Sequence, residues 1–112
     1  MSSARSEAQY LYLTTRGRHT GRPREIEIWF TRDAERYHVI AEHGERAHWI
    51  KNLRADPAVT VRIGRRTFAA RARVLDGARQ ARAVAAARAR SEAKYGWGDG
   101  LVVELTPRRR GR

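Results

Sequence analysis

The feature that most constrains the fold is a series of short segments in which apolar and polar residues alternate with a period of two. This period is typical of strands that bury one face. Strands are predicted over residues 10–15, 25–31, 37–42, 59–63, 67–75 and 101–105. Residues 33–35 have turn chemistry, and residues 64–66 predict a hairpin between the fourth and fifth strands.

Three of these strands have faces that can be assigned from the sequence alone. One predicted face of the second strand holds Ile26, Ile28 and Phe30, and the other holds Glu25, Glu27 and Trp29. In the third strand, Tyr37, Val39 and Ala41 alternate with His38, Ile40 and Glu42. In the fifth, Phe68, Ala70, Ala72 and Val74 oppose Ala69, Arg71 and Arg73.

Two helices are predicted between these strands. The first carries an apolar stripe of Trp49, Ile50 and Leu53, and it ends before Pro57. The second covers residues 78–95, with Asp76 as its N-cap and Gly96 as a left-handed C-cap. Its predicted apolar face is the trio Ala81, Val84 and Ala85.

A barrel is the arrangement that best hides the edges of so many short strands. We therefore expect a mainly β (α+β) fold, a small mixed β-barrel of about six strands with two helices. At 112 residues the chain predicts one domain. Its bounds are 10–106, between a flexible N-terminus at 1–9 and a basic tail at 107–112.

The chain is strongly basic, with a formal net charge of +12 and arginine at all but two of its 24 basic positions. Such a surface favours an anionic partner, whether nucleic acid, an anionic membrane or a phosphorylated cofactor. GC-rich coding composition is the alternative explanation. The absence of cysteine excludes disulfides and thiolate chemistry. Without an apolar run of about 18 residues or a signal peptide, we expect a cytoplasmic protein.

Between the first two strands lies a basic loop with the sequence RGRHTGRPR, residues 16–24. Gly17 and Gly21 allow positive φ and close backbone approach, and successive N–H groups in such a turn can bind an anion. Arg18, Arg22 and Arg24 would add charge-assisted hydrogen bonds, and the Thr20 hydroxyl one more. The pattern indicates a cradle for phosphate or carboxylate. A solvated hairpin turn is the alternative.

Two motifs, LTTRGRHTGRPR and the later HWIKNLRADPAVTV, resemble the deazaflavin-dependent nitroreductase and quinone reductase family. The resemblance covers about residues 10–105. It implies a split β-barrel, flavin-reductase-like, that binds the deazaflavin coenzyme F-420. It further implies an oxidoreductase that transfers a hydride to a quinone or nitro compound. FMN is the less favoured cofactor.

The resemblance also implies which residues bind the cofactor. Arg18, Thr20 and Arg24 would hold its phosphate and acidic oligoglutamate tail, in a loop shaped by Pro23. The other predicted cofactor-binding residues of this loop are His19, Gly21 and Arg22. Trp49 would lie beside the deazaflavin ring. Ala41, Glu42 and His43 fall where the family places a loop against that ring. Asn52 and Leu53 match a helix end with a structural role.

The chain departs from the family pattern at several positions. His19 replaces the family lysine, and a histidine is only partly charged at neutral pH because its ordinary pKa is about 6.5. Arg16 and Arg22 could compensate. The strand EIEIWF is more acidic than its family counterparts. Because only about nine residues precede the first strand, we expect the amphipathic N-terminal extension of the family's better-known members to be missing. Tyr95 is the one match to the family's substrate-side tyrosines.

Other residues and functions stay open at this stage. Tyr95 and His48 are the candidates for a catalytic proton donor. His43 and His48 lack a recognisable zinc spacing, so no metal is expected. Glu25 and Glu27 are expected on a solvated face or paired with Arg71 and Arg73. Trp29 and Trp97 are expected to pack or to line a groove.

The expected partner is a small electron acceptor, with a homodimer allowed, no nucleic acid, and at most weak association with an anionic membrane. Three alternative functions remain. One is a non-catalytic F-420 carrier, and another is an FMN binder with the same barrel. The third is a nucleic-acid-binding barrel, which the charge favours but which lacks regular exposed aromatic residues.

Overall fold

The computed structural model describes residues 8–108, which form one seven-stranded sheet and two helices. A short 3-10 helix at Gly44–Arg46 precedes the first α-helix. The strands are β1 (Tyr10–Arg16), β2 (Pro23–Trp29), β3 (Thr31–Asp33), β4 (Arg36–Ala41), β5 (Ala58–Ile63), β6 (Arg66–Val74) and β7 (Leu101–Pro107). The helices are α1 (His48–Ala55) and α2 (Ala81–Tyr95).

The topology forces the sheet to curl into a split barrel. The strand order is β2-β1-β5-β6-β7-β4-β3, and every neighbouring pair is antiparallel. β2 and β3 are therefore the two edges, yet a single residue, Phe30, joins them along the chain. Because one residue spans only about 3.5 Å, the two edges must come together at Phe30. We call this junction the seam.

The end of α2 satisfies the backbone at the seam. The Phe30 N–H donates to the Tyr95 hydroxyl at 3.0 Å, and that hydroxyl lies 2.8 Å from the Phe30 carbonyl oxygen. It also contacts the Gln9 carbonyl oxygen. Lys94 Nζ donates to the carbonyl oxygens of Phe30 at 3.0 Å and Ala8 at 2.9 Å. These bonds replace the ladder pairing that a break between strands removes.

Two apolar clusters hold the layers together. The barrel interior contains the inward side chains of the strands, such as Leu11, Val61 and Leu105, with Ile50 and Leu53 contributed by α1. The second cluster lies between the outer face of the sheet and α2. It consists of Ile40, Leu75, Val84, Ala87 and Val102.

A buried polar pair lies on the same outer face. His38 and Glu104 are 4% and 6% exposed, and His38 Nε2 is 3.2 Å from Glu104 Oε2. Arg73 donates to the other carboxylate oxygen at 3.1 Å. Burial lowers the pKa of His38 and Arg90 lowers it further, against the opposing effects of Glu104 and Asp33.

The predicted fold class is confirmed, with corrections to strand number and direction. The predicted strand 25–31 is in fact two strands, because the chain crosses from one sheet edge to the other at Phe30. The sheet is antiparallel rather than mixed. The face assignments for β2 and β6 are confirmed, but all of Tyr37–Ala41 is buried because α2 covers the outer face of β4.

The prediction for α2 was wrong at its start and on its face. The helix begins at Ala81 after Gln80, and Asp76 instead accepts the N–H groups of Ala78 and Arg79 in the preceding turn. Its buried residues are Val84, Ala87 and Ser91, whereas Ala81 and Ala85 are exposed. The left-handed cap at Gly96 is confirmed, with φ of 77°.

The predicted chain ends are described only in part. Residues 1–7 and 109–112 lie outside the described residues. Ala8 and Gln9 contact the end of α2, and Pro107 pairs with Ala70 as the last residue of β7 rather than beginning a tail. No helix among residues 8–108 is long and apolar enough to cross a membrane.

Candidate functional site

The basic loop between β1 and β2 is closed by its own backbone. The Gly17 N–H donates to the Arg22 carbonyl oxygen and the Gly21 N–H to the Gly17 carbonyl oxygen, both at 2.8 Å. The Arg22 N–H donates to the Thr20 hydroxyl at 3.1 Å. Gly21 has a positive φ of 75°, as predicted, whereas the φ of Gly17 is not positive. Gly17 is needed for another reason, since a Cβ there would lie 3.1 Å from the Arg22 carbonyl oxygen.

Asn52 of α1 fixes this loop to the barrel. Its side-chain oxygen accepts the Arg18 backbone N–H at 3.2 Å and Arg18 Nη1 at 2.8 Å. Its amide nitrogen donates to the Thr15 hydroxyl at 3.2 Å. Arg18 Nη2 also lies 3.4 Å from His48 Nδ1. Asn52 is only 4% exposed, so its bond to Thr15 is buried and its bonds to Arg18 are partly shielded from water, and together they tie the loop to α1 and β1.

The cations of the loop have different surroundings. Arg18 is turned toward α1, and Arg16 forms an ion pair with Asp56 at 3.4 Å and donates to the Gly21 carbonyl oxygen. Within the described part of the chain, Arg24 has no ion-pair partner. Arg24 lies opposite Thr15 in the β1–β2 register, so it extends on the same face as Thr15. It is exposed and lines the groove described below, so its guanidinium is available to a ligand.

A groove begins at this loop and runs along α1 and β2. Its first section has a volume of about 730 Å³. We call this the basic section, and its lining consists of Gly17, Arg18, His19, Thr20, Arg24, Ile26, His48, Trp49 and Asn52. Cationic and hydroxyl groups therefore converge on one end of the groove.

The groove continues into an apolar section of about 630 Å³. Its lining consists of Ile26, Glu27, Ile28, Trp29, Ile40, Ala41, Glu42, His43, Ala47, Trp49 and Trp97. Ile26 and Trp49 line both sections, so the two adjoin. By its lining residues the groove is amphiphilic: one end carries Arg18, His19, Thr20 and Arg24, and the other is mainly aromatic and aliphatic but also includes Glu27, Glu42 and His43.

A stack of aromatic rings forms one wall of the apolar section. Trp29 lies parallel to Tyr95 with ring centroids 4.4 Å apart, and it meets Trp97 edge-on at 6.4 Å. The hydroxyl of Tyr95 is bound at the seam, so the tyrosine ring cannot easily turn away. The wall is consequently preorganised, with Trp29 held 46% exposed to solvent.

The loop on the other side of the groove is tied to α1 by an ion pair. Arg54 donates to both carboxylate oxygens of Glu45, with distances of 2.9 and 2.6 Å. This contact lowers the pKa of Glu45 and raises that of Arg54. Both side chains are at least half exposed, so the pair contributes little to stability and acts mainly on loop position.

Comparison with known proteins identifies the family. The family described as F420H(2)-dependent quinone reductase matches residues 3–99, which is most of the chain. The chain belongs to this family. This confirms the predicted resemblance to deazaflavin-dependent reductases.

Curated relatives match part of the chain. The F420H(2)-dependent quinone reductase Rv1261c of Mycobacterium tuberculosis is 33% identical over 61 residues. A putative F420H(2)-dependent quinone reductase of Mycobacterium bovis, Mb1292c, matches to the same extent. The match covers 52% of this chain and 41% of each relative, so the chain spans less than half of their length.

Solved structures agree on the fold. An F420-H2 dependent reductase (FDR-A) is similar with a TM-score of 0.60 and 23% identity, covering 87% of this chain and 93% of that chain. HutZ, a heme storage protein from Vibrio cholerae, is also similar, with a TM-score of 0.67 and 23% identity over 93% of this chain and 84% of its own. These likenesses concern the split barrel alone.

The structure brings most of the predicted site residues to this groove. Those that line it are Arg18, His19, Thr20, Arg24, Ala41, Glu42, His43, His48 and Trp49. Gly21, Arg22 and Pro23 shape the loop without lining either section, and the Tyr95 hydroxyl is bound to backbone at the seam.

Sequence reasoning missed the linking role of Asn52, since its partners Thr15 and Arg18 lie 37 and 34 residues away. It also missed Ile26 and Ile28 as lining residues. Their alternation had indicated core packing, and they do pack partly against the core.

Glu25 and Glu27 lie on an exposed face of β2, as one of the two predictions for them had it, whereas the alternative, pairing with Arg71 and Arg73, was wrong. Glu25 lies 3.5 Å from Arg62 of β5, and Arg73 instead binds Glu104. The reason is strand order, because β1 and β5 separate β2 from β6.

Residues 8–108 contain no group of three or more His, Cys, Asp or Glu side chains that could hold a metal ion.

Proposed function

We propose that this protein is a reductase that uses reduced coenzyme F-420 to reduce a small organic acceptor of the quinone or nitro class. The observation that carries the proposal is the amphiphilic groove in a chain of this family. F-420 itself joins an aromatic deazaflavin to a phosphate and an acidic tail. A ligand of that kind needs an apolar slot and a cationic end in one continuous cavity.

In the basic section, Arg24 and the exposed His19 would hold the phosphate and the first carboxylates. Arg24 can present a bidentate guanidinium to either anion. Thr20 keeps its hydroxyl proton free for a further bond, since the hydroxyl oxygen accepts from the Arg22 N–H. Asn52 would position the loop, and Arg18, which lines this section and keeps its charge and further N–H donors after bonding to the neutral Asn52 amide, would bind the anion together with Arg24.

In the apolar section, Trp49 and Ile26 would enclose the ring system. The bound coenzyme supplies the hydride. The Trp29 and Trp97 wall would orient a planar acceptor by stacking and would exclude water from it. Reduction of a quinone also requires protons, and Glu27, Glu42 and His43 are the ionisable residues that line this section. We propose that solvent at the open groove delivers these protons. Tyr95 is not the proposed donor, because its hydroxyl is bound to the backbone of Phe30 at the seam.

Binding of F-420 against FMN tests the choice of cofactor. Both are fluorescent, so quenching measured during titration with the full chain at physiological salt gives a dissociation constant for each. We expect F-420 to bind more tightly, because its extra carboxylates meet the basic section. Equal or tighter binding of FMN would overturn the choice of F-420.

Arg24→Ala tests the location of the anion, and Arg22→Ala is the matched control. Both residues are exposed arginines of the same loop, but only Arg24 lines the groove. Loss of a hydrogen bond to a charged group costs about 1.5–3 kcal/mol, which corresponds to roughly 10- to 100-fold weaker binding. We expect that loss for Arg24→Ala and less than about threefold for Arg22→Ala. Equal losses would place the anion elsewhere.

Turnover separates a reductase from a carrier. Oxidation of reduced F-420 by a soluble quinone should be accelerated by the protein and should saturate with both substrates. Tight binding without acceleration would indicate a cofactor carrier.

We propose a small molecule as the electron acceptor and a homodimer as the oligomeric state. Sedimentation velocity would check the homodimer. One solved structure of similar fold is described as a domain-swapped dimer.

A further inference from the structure

A second basic cleft, of about 500 Å³, lies on the outer face of the barrel. We call it the outer cleft. It is lined by Arg36, Arg71, Arg73, Glu104, Thr106, Pro107 and Arg108. None of these residues lines the groove, so a ligand of the outer cleft would be independent of the proposed function.

Strand register brings these side chains together. Along the middle strand β7, Glu104 lies directly opposite His38 of β4 on one side and Arg73 of β6 on the other. Two residues further along β7, Thr106 lies opposite Arg71 of β6. Alternate residues of a strand share a face, so both rows point outward. Three hydrogen-bonded strands therefore fix the spacing of the cations, which is more rigid than an arrangement on loops.

The cations of the outer cleft are only partly neutralised. Glu104 is 6% exposed, and its carboxylate is bound by Arg73 at 3.1 Å and approached by Arg36 at 3.6 Å. The lining holds four arginines and one carboxylate, and only Arg73 and Arg36 contact that carboxylate, so the cleft carries three more positive than negative charges. Within residues 8–108, Arg71 and Arg108 have no ion-pair partner. Such a concentration of like charge in one cleft favours binding of an anion.

Backbone pairing also holds Arg108 at the cleft. Its N–H donates to the Ala69 carbonyl oxygen at 2.9 Å, which extends the β6–β7 pairing by one residue. The sequence then continues with Arg109, Arg110 and Arg112. Further positive charge is therefore attached to the chain directly beyond the cleft.

We propose that the outer cleft binds a phosphate-bearing anion with at least two negative charges, such as a diphosphate or a phosphate monoester. Arg71 would provide a bidentate contact, with Arg108 and the Thr106 hydroxyl beside it. Glu104 orients Arg73 and Arg36 toward the cleft rather than meeting the ligand itself. No aromatic side chain lines the cleft, so it offers a nucleobase nothing to stack on. Recognition thus rests on the phosphate.

The first experiment titrates the ¹⁵N-labelled full chain with inorganic pyrophosphate at about 0.15 M salt, where diffuse surface attraction is screened. Saturable binding that shifts the Arg71 side-chain Nε–Hε signal is the expected result. Arg71→Ala should weaken this binding about tenfold or more. Arg65→Ala is the matched control, since Arg65 is exposed in the β5–β6 turn and does not line the cleft; it should leave binding unchanged.

A second experiment distinguishes soluble phosphates from lipid headgroups. Vesicles of phosphatidylcholine with and without phosphatidic acid, a phosphate monoester, are sedimented with the wild type and the Arg71→Ala and Arg65→Ala variants. Binding that requires phosphatidic acid and Arg71 identifies a headgroup as the ligand. Saturable pyrophosphate binding without Arg71-dependent sedimentation identifies a soluble ligand.

The proposal is overturned if neither probe binds in an Arg71-dependent manner. It is equally overturned if Arg65→Ala weakens binding as much as Arg71→Ala does, since that would indicate only the overall charge of the surface. Arg71 is an exposed strand residue, so its variants should fold. Their thermal unfolding is measured alongside. Arg71→Lys keeps the charge without the planar fork and should recover only part of the affinity.

Discussion

Replacing Asn52 by alanine should destabilise the protein strongly, because this one side chain joins three elements beside the groove. The side chain is 4% exposed and makes three hydrogen bonds, at 2.8, 3.2 and 3.2 Å, that join α1 to β1 and to the basic loop. In the alanine variant the Arg18 backbone N–H loses its acceptor and the Thr15 hydroxyl its amide donor. The variant therefore carries unsatisfied polar groups in a buried place, which costs more than the mere absence of a bond.

The magnitude follows from the bonds. A neutral hydrogen bond contributes about 0.5–1.5 kcal/mol, and one to a charged group, here Arg18 Nη1, about 1.5–3 kcal/mol. These values are not additive within one network, so we expect a loss of about 3 kcal/mol in the free energy of unfolding. Asn52→Asp should lose about 1 kcal/mol or less. Its carboxylate still accepts from Arg18, and the Thr15 hydroxyl can donate to it.

Urea unfolding followed by tryptophan fluorescence measures these changes. Lys51→Ala is the matched control, because Lys51 is the exposed neighbour on the same helix and should change stability by less than about 0.5 kcal/mol. A loss below about 1 kcal/mol for Asn52→Ala would refute the reasoning, since it would mean that the three bonds do not hold the loop.

Two further predictions concern the seam and the buried histidine. Tyr95→Phe should lower the free energy of unfolding by about 1–2 kcal/mol, because the Phe30 N–H loses its acceptor. Tyr10→Phe is the control, and it should change stability very little because the Tyr10 ring is exposed. Equal effects of the two substitutions would contradict a role of the Tyr95 hydroxyl at the seam. The pKa of His38 is lower in the folded state than in the unfolded state. As the pH falls, the unfolded state therefore binds a proton at His38 before the folded state does. The free energy of unfolding should consequently fall as the pH drops below about 6.5. His38→Gln, which can still donate to Glu104, should flatten that fall in urea unfolding between about pH 7 and 5, and an unchanged slope would show that another group is responsible.

The sequence predicted those strands whose two faces differ in polarity. β2 and β6 alternate visibly because one face is solvated and the other lies against the barrel interior. β4 does not follow this rule, since α2 covers its outer side and buries His38 and Ile40. Whether a second layer lies over a strand depends on distant parts of the chain, and no local pattern records it.

The face of α2 was mispredicted for a related reason. A helix of alanines and arginines has little contrast between its sides, so its rotation is set by packing rather than by hydrophobic periodicity. Val84 and Ala87 meet Ile40, Leu75 and Val102. The break between β2 and β3 was equally invisible, since neither glycine nor proline marks Phe30 and the break arises from barrel closure.

For the candidate site, local motifs predicted the residues but not their division of labour. The basic loop and Trp49 were identified from short-range patterns, and they do line one groove. The position of Arg18 depends on its contact with Asn52, which lies 34 residues beyond it in the sequence. Charge in a sequence shows where an anion could bind, but only the fold shows which cations line the same groove.

The seam connects barrel closure to the shape of the groove. The Tyr95 hydroxyl binds the backbone of Phe30, while its ring stacks on Trp29, the residue immediately before Phe30 in the chain. The same side chain thus satisfies the backbone where the sheet edges meet and supports the aromatic wall of the apolar section. A disturbance of the seam should therefore move the wall. If an acceptor stacks on Trp29 as proposed above, substitution of Tyr95 should weaken its binding, although Tyr95 does not line the groove.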